Sequence, residues 1–271
     1  MRLVVVVQAR TGSRRLPGKV LLPLAGRPLL ERMLQRLLAA RFPFQLCVAT
    51  STLVEDEPIR QLCRRLAVPV VSDHPTDLLA RHVAAGRALR ADAVAKIPSD
   101  CPLIDPLIVD RVLGHFAART AEVDFVTNLH PPSWPDGNDV EVMSMRTLEL
   151  AAEEARKPFE REHTTPFIWE RPERFRISNV TWGGGRDLSK SHRFTIDYPE
   201  DFAFIARVYE ELCTPERPVF GLPDILALLA REPALLRTNA RWAGQSWHLA
   251  ELGQLASIGL GPRGLEWRTP H

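Results

Sequence analysis

Four consecutive valines near the start of the chain, Val4 to Val7, constrain the fold more than any other feature. A continuous apolar run of this kind is typical of a strand that is buried on both faces of a parallel sheet. Further apolar runs alternate with stretches in which apolar residues recur at helical spacing. Strands are therefore predicted at residues 3–7, 45–50, 68–71 and 93–97, separated by helices at residues 28–40, 57–66 and 77–89. This alternation predicts a three-layer α/β fold, with helices on both faces of a mostly parallel sheet.

The middle of the chain follows this pattern less closely. A helix at residues 106–118 and a strand near residues 124–127 continue it, whereas residues 128–195 are rich in loop-forming sequence. We expect this segment to leave the sheet, and the stretch RFTIDY, residues 193–198, to return to it. Within the segment, short elements are predicted at residues 140–143 (strand), 147–156 (helix) and 175–181 (strand).

From about Pro215 onwards, the sequence predicts short helices that are interrupted by prolines. Proline ends a helix because it lacks a backbone N–H and its ring clashes with the preceding turn. We therefore expect a main domain of residues 1–214 and a C-terminal helical appendage of residues 215–271.

Composition excludes several functional classes. With 271 residues, of which 45% are hydrophobic, the chain can bury a sizeable core. Its 35 lysines and arginines nearly balance 33 acidic residues, so we expect no nucleic-acid partner. The four cysteines lie far apart without a CxxC pair, which predicts free thiols and neither a disulfide framework nor a zinc site. The first apolar run is too short for a signal peptide or a membrane span, so we expect a cytoplasmic protein.

A basic loop, QARTGSRRLPGK at residues 8–19, follows the first strand. Ligands of open parallel sheets bind at the carboxyl ends of the strands, where this loop lies. The spacing of Gly12 and Gly18, with Val20 after the lysine, matches neither the Walker pattern nor the GxGxxG turn. The glycines would still let backbone N–H groups approach a polyanion, although a solvated surface loop is the alternative. The basic side chains expected to surround the polyanion are Arg10, Arg14, Arg15 and Lys19.

Two aspartates are expected at the same edge of the sheet. Asp100 follows the strand at residues 93–97, and Asp197 follows a strand-like run at residues 194–196. A carboxylate facing a phosphate-binding loop is reasonable where a cation lies between them, and magnesium takes one or two carboxylates together with phosphate oxygens. The alternative for Asp197 is a helix N-cap before the PEDF stretch.

Five stretches in this order together resemble a known family: QARTGSRRLPGKVLLPLAGRPLLERMLQR, PSDCPLIDP, DGNDVEV, REHTTPFI and RFTIDYPEDF. They are similar to the cytidylyltransferases that include CMP-Kdo and CMP-sialic acid synthetases, and most similar to the spore-coat polysaccharide biosynthesis protein F branch. The resemblance spans roughly residues 2–210. It implies a Rossmann-like nucleotide-diphospho-sugar transferase fold, CTP as cosubstrate, Mg²⁺ as cofactor, and a homodimer built partly by residues 128–195.

The resemblance also implies roles for individual residues. Arg10, Arg15 and Lys19 would hold the triphosphate, and Gly12 and Ser13 would contact it through the backbone. The implied nucleotide-binding set is Gln8, Ala9, Arg10, Gly12, Ser13, Arg15, Lys19, Arg81 and Asp100. The implied catalytic set is Lys19, Arg15, Asp100 and Asp197, with Asp100 and Asp197 as the metal ligands.

Candidates for acceptor binding follow from two weaker clusters. Asp139 and Glu141 are two residues apart on a probable strand, hence on one face, and could bind sugar hydroxyls. Acidic residues on the solvent face of an edge strand are the alternative. Arg161 and His163 lie in a short helix-like turn and are the other candidates.

Two further patterns bear on these assignments. Arg81 follows Asp77 by four residues, a spacing that is also typical of a helix-stabilising ion pair. The segment 128–195 carries more aromatic surface than it could easily leave in water, which favours a dimer interface there. The aromatic residues in question are Trp134, Phe159, Phe167 and Trp169.

These observations together predict a magnesium-dependent cytidylyltransferase. It would activate a sugar or sugar acid with CTP and release pyrophosphate, in surface polysaccharide biosynthesis such as that of the spore coat. The sequence contains no GxSxG turn, so it does not support hydrolase chemistry. Two alternatives remain open: a glycosyltransferase that uses a finished nucleotide-sugar, and a non-catalytic nucleotide-binding subunit.

Overall fold

The computed structural model describes residues 1–245, 248–261 and 264–267. The strands, in chain order, are β1 (Leu3–Gln8), β2 (Pro23–Leu24), β3 (Arg27–Pro28), β4 (Gln45–Ser51), β5 (Val70–Asp73), β6 (Ala93–Pro98), β7 (Phe125–Thr127), β8 (Glu141–Ser144), β9 (Ile177–Asn179), β10 (Ile258–Gly261) and β11 (Gly264–Trp267). The α-helices are α1 (Leu29–Leu37), α2 (Glu57–Arg65), α3 (Leu78–Ala88), α4 (Pro106–Ala117), α5 (Met145–Glu154), α6 (Pro158–His163), α7 (Pro166–Trp169), α8 (Pro199–Leu212), α9 (Leu222–Arg231) and α10 (His248–Glu251). Short 3₁₀ turns lie at Lys19–Leu21, Val54–Asp56, Leu235–Arg237, Ala240–Trp242 and Leu252–Gln254.

A seven-stranded sheet with the order β5-β4-β1-β6-β8-β7-β9 forms the centre of the molecule. β1 pairs in parallel with β4 from Val4 opposite Gln45, and with β6 from Leu3 opposite Ala93. β8 is antiparallel to both of its neighbours, and the remaining pairs are parallel. The structure therefore confirms the predicted mostly parallel α/β sheet.

The valines of β1 explain why the strand is apolar without alternation. Val4 to Val7 are all completely buried, because helices cover both faces of the sheet. Val5 and Val7 belong to one hydrophobic core, which includes side chains of α1, α2, α4, α8 and α9. Val4 and Val6 belong to a second core on the opposite face, which includes side chains of α3, α5, α6 and α7.

Residues 128–195 do not leave the sheet as expected. β8 lies between β6 and β7, and β9 forms the edge next to β7, so the segment supplies two of the seven strands. RFTIDY, in contrast, forms no strand of this sheet. Both sides of β6 are already paired, so the Ile196 N–H donates instead to the Asp100 carbonyl (2.8 Å), across the end of the sheet.

The aromatic residues expected at a dimer interface are buried within the single chain. Trp134, Phe159, Phe167 and Trp169 are each at most 8% exposed, because they pack into the two cores. The aromatic-surface argument for a dimer interface in this segment is therefore wrong.

The C-terminal region is not wholly helical. α9 and the 3₁₀ turns match the expected short helical pieces, but β10 and β11 form an antiparallel hairpin. Leu228 on α9 packs into the first core, whereas Leu255 and Ile258 pack into the second. Among the described residues, no helix has both the length and the apolar character needed to span a membrane.

Truncating a central valine should destabilise the fold. Val5→Ala removes two methyl-sized groups from a fully buried position and should lower the free energy of unfolding by about 2 kcal/mol. Val54→Ala is the matched control, because Val54 is 79% exposed and its truncation should change stability by less than about 0.5 kcal/mol. Urea denaturation of the three proteins measures the difference. Equal stability of both variants would contradict the assigned core.

Candidate active site

The basic loop after β1 is held by its own backbone and by one buried carboxylate. The Thr11 carbonyl accepts hydrogen bonds from the N–H groups of Ser13 (2.8 Å) and Gly18 (2.9 Å). Gly18 has a φ of +68°, a left-handed conformation that glycine adopts without strain. The Asp56 carboxylate accepts bonds from the Thr11 N–H (2.7 Å), the Thr11 hydroxyl (2.8 Å) and the Ser51 hydroxyl. The loop is therefore fixed at the carboxyl edge of the sheet, where the parallel strands end.

The ammonium group of Lys19 connects the two predicted metal ligands. Its Nζ lies 2.8 Å from Asp100 Oδ2 and 3.0 Å from Asp197 Oδ1, and it donates to the Ile196 carbonyl at 2.5 Å. Burial lowers the pKa of Lys19, but the attraction of Asp100 and Asp197 outweighs it, so the pKa lies above its usual value. The structure thus brings together three charged groups that are far apart in sequence.

Asp197 has two further cationic neighbours. Arg15 Nη2 lies 2.6 Å from its Oδ1, and Arg193 Nη2 lies 2.9 Å from its Oδ2. Burial raises the pKa of Asp197, but the charges of Lys19, Arg15 and Arg193 outweigh burial and hold this pKa below its usual range. The carboxylate is therefore ionised at neutral pH and is surrounded by cations.

Arg193 is a buried hub behind Asp197. Its guanidinium contacts Asp201 (Nε to Oδ1, 2.9 Å) and Asp136 (Nη1 to Oδ2, 3.2 Å) in addition to Asp197. The side chain of Asn239, from the C-terminal region, donates to the Arg193 carbonyl (2.9 Å) and to Asp201 Oδ1 (3.0 Å). These bonds leave the Asp197 carboxylate little freedom to rotate.

The N-cap alternative for Asp197 does not describe the structure. The Asp201 Oδ2 atom accepts bonds from the backbone N–H groups of Asp197 and Tyr198, both at 3.0 Å, and so satisfies the start of α8. The Asp197 side chain instead faces Lys19 and Arg15.

More carboxylates surround this pair. Burial, with repulsion from Asp100 and Glu141, raises the pKa of Asp139 to about 6. Burial and repulsion from Asp139 also raise the pKa of Asp136 well above its usual value. Within residues 1–245, 248–261 and 264–267, no group of three or more His, Cys, Asp or Glu side chains is arranged to hold a metal ion by itself. Asp100 and Asp197 both point at one position, which the Lys19 ammonium occupies.

Two of the predicted residues, Arg81 and Gln8, have buried side-chain atoms without hydrogen-bond partners in the described part of the chain. Arg81 on α3 is 1% exposed, and its Nε and Nη2 have no partner among the described residues. The same holds for Gln8 Oε1 at the end of β1 and for Thr50 Oγ1 near the end of β4. Burial and repulsion from Arg10 lower the pKa of Arg81. Because buried polar groups are nearly always paired, the unpartnered atoms of Arg81 and Gln8 are suited to a polar ligand.

The remaining residues of the predicted nucleotide set lie on the basic loop. Arg10 and Ser13 are partly exposed, and nothing would crowd a side chain at Gly12. The Ser13 N–H is engaged by the Thr11 carbonyl, and the Ala9 N–H donates to the Ala49 carbonyl at 3.0 Å.

Glu141 is buried in an ion pair rather than exposed on an edge strand. Lys96 Nζ lies 2.6 Å from its Oε2, the Thr165 hydroxyl donates to its Oε1 at 2.7 Å, and His130 Nε2 lies 3.4 Å from Oε1. Burial raises the pKa of Glu141, but the Lys96 charge and the His130 hydrogen bond outweigh it and hold this pKa well below its usual range. Asp139 precedes β8, so only Glu141 of the two acids lies on the strand.

The other acceptor candidates lie on α6. Arg161 Nε pairs with Asp77 Oδ2 at 2.5 Å, so Asp77 forms its ion pair with Arg161 and not with Arg81. Arg161 also donates to the Ala152 carbonyl (3.1 Å). These two contacts of Arg161 connect α6 to the neighbouring helices. His163 is well buried, and burial lowers its pKa to about 3.

The sequence patterns did not point to several residues that complete the site. Asp56 and Asp136 act through contacts with Thr11 and Arg193, which are 45 and 57 residues away, and spacing does not reveal such contacts. The sequence also does not show that Arg193 is buried against three carboxylates. Lys96 carried a usable signal, because a charged residue stands inside an otherwise apolar strand.

The sequence profile of the cytidylyltransferase family matches residues 4–217. The chain belongs to the cytidylyltransferase family. The spore coat polysaccharide biosynthesis protein SpsF of Bacillus subtilis is 27% identical over 236 residues, which cover 85% of this chain and 95% of that protein. A 3-deoxy-manno-octulosonate cytidylyltransferase of Trichlorobacter lovleyi is 33% identical over 121 residues, covering 43% of this chain and 45% of that enzyme.

Solved structures of cytidylyltransferases share the fold. A cytidylyltransferase from Leptospira borgpetersenii has a TM-score of 0.81 and 28% identity, covering 91% of this chain and 98% of that one. CMP:2-keto-3-deoxy-manno-octonic acid synthetase, solved with CTP, has a TM-score of 0.60 at 18% identity, covering 78% of this chain and 99% of that one. Both the family match and the fold show that this cytidylyltransferase has a nucleotidyltransferase architecture.

Breaking the buried Lys96–Glu141 pair should destabilise the protein more than replacing the whole pair with apolar side chains. Glu141→Gln leaves a buried ammonium without its counter-charge and should cost about 3–5 kcal/mol, whereas the double change Lys96→Met with Glu141→Leu should cost much less. Because the folded-state pKa of Glu141 is depressed, its stabilisation is present above the ordinary glutamate pKa and is lost as pH falls through the folded-state value. Urea denaturation between pH 7 and pH 3 measures both effects. A single variant as stable as the double one would contradict the assignment.

Proposed function

We propose that this chain is a magnesium-dependent cytidylyltransferase that activates a sugar or sugar acid with CTP and releases pyrophosphate, in surface polysaccharide biosynthesis. The main support for the proposal is the position of Lys19. Its ammonium group contacts the carboxylates of both Asp100 and Asp197 beside the basic loop. The relatives' names, which include a 3-deoxy-manno-octulosonate cytidylyltransferase and a spore coat polysaccharide protein, support the substrate class. The proposal includes a cytoplasmic homodimer, as expected from the sequence.

The basic loop would bind the triphosphate. Arg15 and Lys19 are tied to Asp197 in this structure, and Arg10 lies near Arg81 at the other side of the loop. Guanidinium and ammonium groups bind phosphate oxygens through charge-assisted hydrogen bonds. An incoming triphosphate would offer Arg15 and Lys19 new anionic partners.

The unpartnered groups beside the loop would bind the nucleoside. The free N–H groups of Arg81 can donate to a carbonyl, and the amide of Gln8 can accept or donate. A pyrimidine such as cytosine presents a ring carbonyl and an exocyclic amine on one edge. This complementarity supports CTP as the nucleotide.

Asp100 and Asp197 would hold Mg²⁺ at the position that the Lys19 ammonium takes here. Their two carboxylates fit magnesium, which takes few protein ligands and completes its coordination with phosphate oxygens and water. Bound there, the ion would neutralise negative charge on the phosphates.

The chain's own residues would then position an in-line displacement. An acceptor hydroxyl oxygen bonds to the α-phosphorus of CTP while the bond from that phosphorus to the β-phosphate oxygen breaks, and the acceptor proton passes to solvent or a nearby base. Pyrophosphate leaves with the bonding electron pair. Lys19 and Arg15 stabilise its charge, since positioning and charge neutralisation supply most of the rate in such transfers.

The direct test incubates the protein with Mg²⁺, CTP and 3-deoxy-manno-octulosonate or its 8-amino-3,8-dideoxy analogue, and follows pyrophosphate release. We expect release that depends on CTP and on the sugar. A glycosyltransferase would instead consume a nucleotide-sugar, and a non-catalytic subunit would bind CTP without releasing pyrophosphate. Either result would reject the proposal.

Removing a cation from the loop should weaken triphosphate binding. Lys19→Ala and Arg15→Ala each remove charge-assisted hydrogen bonds, and each should raise the Kd for CTP by about 10- to 100-fold. Arg231→Ala is the matched control, because Arg231 is an exposed cation of α9, outside the loop. Calorimetric titration compares the variants. An unchanged Kd in both test variants would reject the loop as the phosphate site.

Neutralising either carboxylate should separate binding from turnover. Asp100→Asn and Asp197→Asn should abolish pyrophosphate release, yet CTP binding in the presence of a chelator should stay equal or tighten, because a repulsive charge is gone. A purely structural role predicts the reverse, with lost stability and residual turnover. Thermal denaturation of each variant accompanies the two assays.

Lys19 should also compete with the metal ion when no nucleotide is present. Lys19→Gln should bind Mn²⁺ without CTP at least about tenfold more tightly than the unchanged protein, because the ammonium no longer repels the ion. Arg14→Gln should leave the Mn²⁺ affinity unchanged. Electron paramagnetic resonance of free Mn²⁺ reports the affinity directly. Equal Mn²⁺ binding by all three proteins would contradict the shared position.

A further inference from the structure

A second buried charge cluster lies on the α3 face of the sheet, away from the Lys19 dyad. Lys96 and Glu141 occupy paired positions on the neighbouring strands β6 and β8, and their side chains are 11% and 3% exposed. Transferring two charges from water into a protein interior is costly, and an apolar pair of similar size would often be as stable. The pair therefore suggests a role beyond stability.

Two imidazole groups beside this pair carry unused hydrogen-bonding atoms. His82 Nε2 and His130 Nδ1 are buried and have no partner among the described residues. Their other nitrogens are engaged, His82 Nδ1 at 2.7 Å from the Leu78 carbonyl and His130 Nε2 at 3.4 Å from Glu141. The His130 side chain is only 7% exposed. Unpaired buried nitrogens of this kind are suited to the hydroxyl groups of a ligand.

Aromatic rings surround His130 on the side away from Glu141. The ring of Trp169 has its centroid 4.8 Å from that of His130, and the ring of Trp267 has its centroid 4.3 Å away. The two indoles are 5.6 Å apart at 69°, and His248 lies edge-on to Trp267 at 6.0 Å. Trp267 and His248 come from the C-terminal segment, whereas the other groups belong to the main sheet and its helices.

The C-terminal segment is fastened in this position by specific contacts. The Glu170 carboxylate accepts a bond from the Ser257 N–H (3.0 Å), and Lys190 Nζ donates to the Leu265 carbonyl (2.9 Å). Leu255 and Ile258 are 5% and 1% exposed and pack into the second core. Trp267 is therefore part of a built surface over His130.

This cluster is next to the nucleotide-binding residues. Lys96 pairs with Val6 on β1, two residues before Gln8, and lies on the same face of the sheet. His82 directly follows Arg81 on α3. Asp139 is two residues from Glu141 in the chain and is close enough to both Asp100 and Glu141 for their charges to raise its pKa. A molecule bound at the cluster could thus extend toward the α-phosphate of the nucleotide.

We propose that Lys96, Glu141, His82 and His130 form the subsite for the acceptor's hydroxylated sugar ring, and that Trp267 of the C-terminal segment is the wall against which this ring packs. Aromatic faces contact the apolar face of a sugar ring, and a few convergent polar groups orient its hydroxyls. Glu141 accepts, Lys96 donates, and the two imidazoles complete the set. The assignment of the bound ring as an acceptor rests on the function proposed above.

The test measures sugar binding directly and does not require turnover. The probes are 3-deoxy-manno-octulosonate, its 8-amino-3,8-dideoxy analogue and glucose, titrated by calorimetry with CTP and chelator present. For whichever sugar the unchanged protein binds, Trp267→Ala should raise the Kd by at least tenfold. Trp267→Phe should restore most of the affinity. Leu249→Ala is the matched control, because Leu249 lies in the same segment and is 44% exposed. The CTP affinity should be equal in all four proteins, and thermal denaturation checks the fold.

The outcomes separate the subsite from the proposed function. If the unchanged protein fails to bind CTP, the proposed function fails, while sugar titrations without nucleotide still decide the subsite. Equal sugar affinity in Trp267→Ala, tighter binding in that variant, or no binding of any probe to the unchanged protein at millimolar concentration would each overturn the proposal. Loss of CTP affinity together with sugar affinity would do so as well, because it would indicate general damage to the fold.

Discussion

The arrangement of charged side chains at the carboxyl edge of the sheet depends on the ammonium group of Lys19. It lies between the carboxylates of Asp100 and Asp197, which are 81 and 178 residues away along the chain. Without a cation at this point the two carboxylates would repel each other, and the ends of β6 and of the segment before α8 would be held less firmly. The same point, where both carboxylates converge, is the position at which we propose that a divalent cation binds.

Several unsatisfied polar groups lie on the α3 face of the sheet. Gln8 and Arg81 lie toward the basic loop, whereas His82 and His130 lie toward β8. Each such group costs about 1–3 kcal/mol when it stays unpaired, so this face is less stable than it would be with apolar side chains. Ligands that satisfy these groups would recover that energy, which couples binding to the stability of the α3 face.

The fold could be predicted from the sequence to the extent that local patterns decide it. The valines of β1 and the helical spacing around Leu30 and Leu34 reflect burial on defined faces, and these elements form as expected. The placement of β8 between β6 and β7 could not be predicted, because strand order depends on packing between distant segments. Asp100, Asp197 and Lys19 were recognisable because each follows a strand or belongs to a motif. Asp56 was not, since its partner Thr11 is 45 residues away. Arg193 was not, because a linear pattern does not show that its guanidinium is buried against Asp136, Asp197 and Asp201.

The bonds from Asn239 have a consequence for how the chain can be divided. The family profile ends at residue 217, yet the Asn239 amide holds both Asp201 and the backbone of Arg193, which in turn orient Asp197. The region after residue 217 is thus no detachable module. An exchange of C-terminal regions between relatives would carry over part of the support for this charged cluster, and a recombinant version trimmed to the family profile would lose bonds that help to position Asp197.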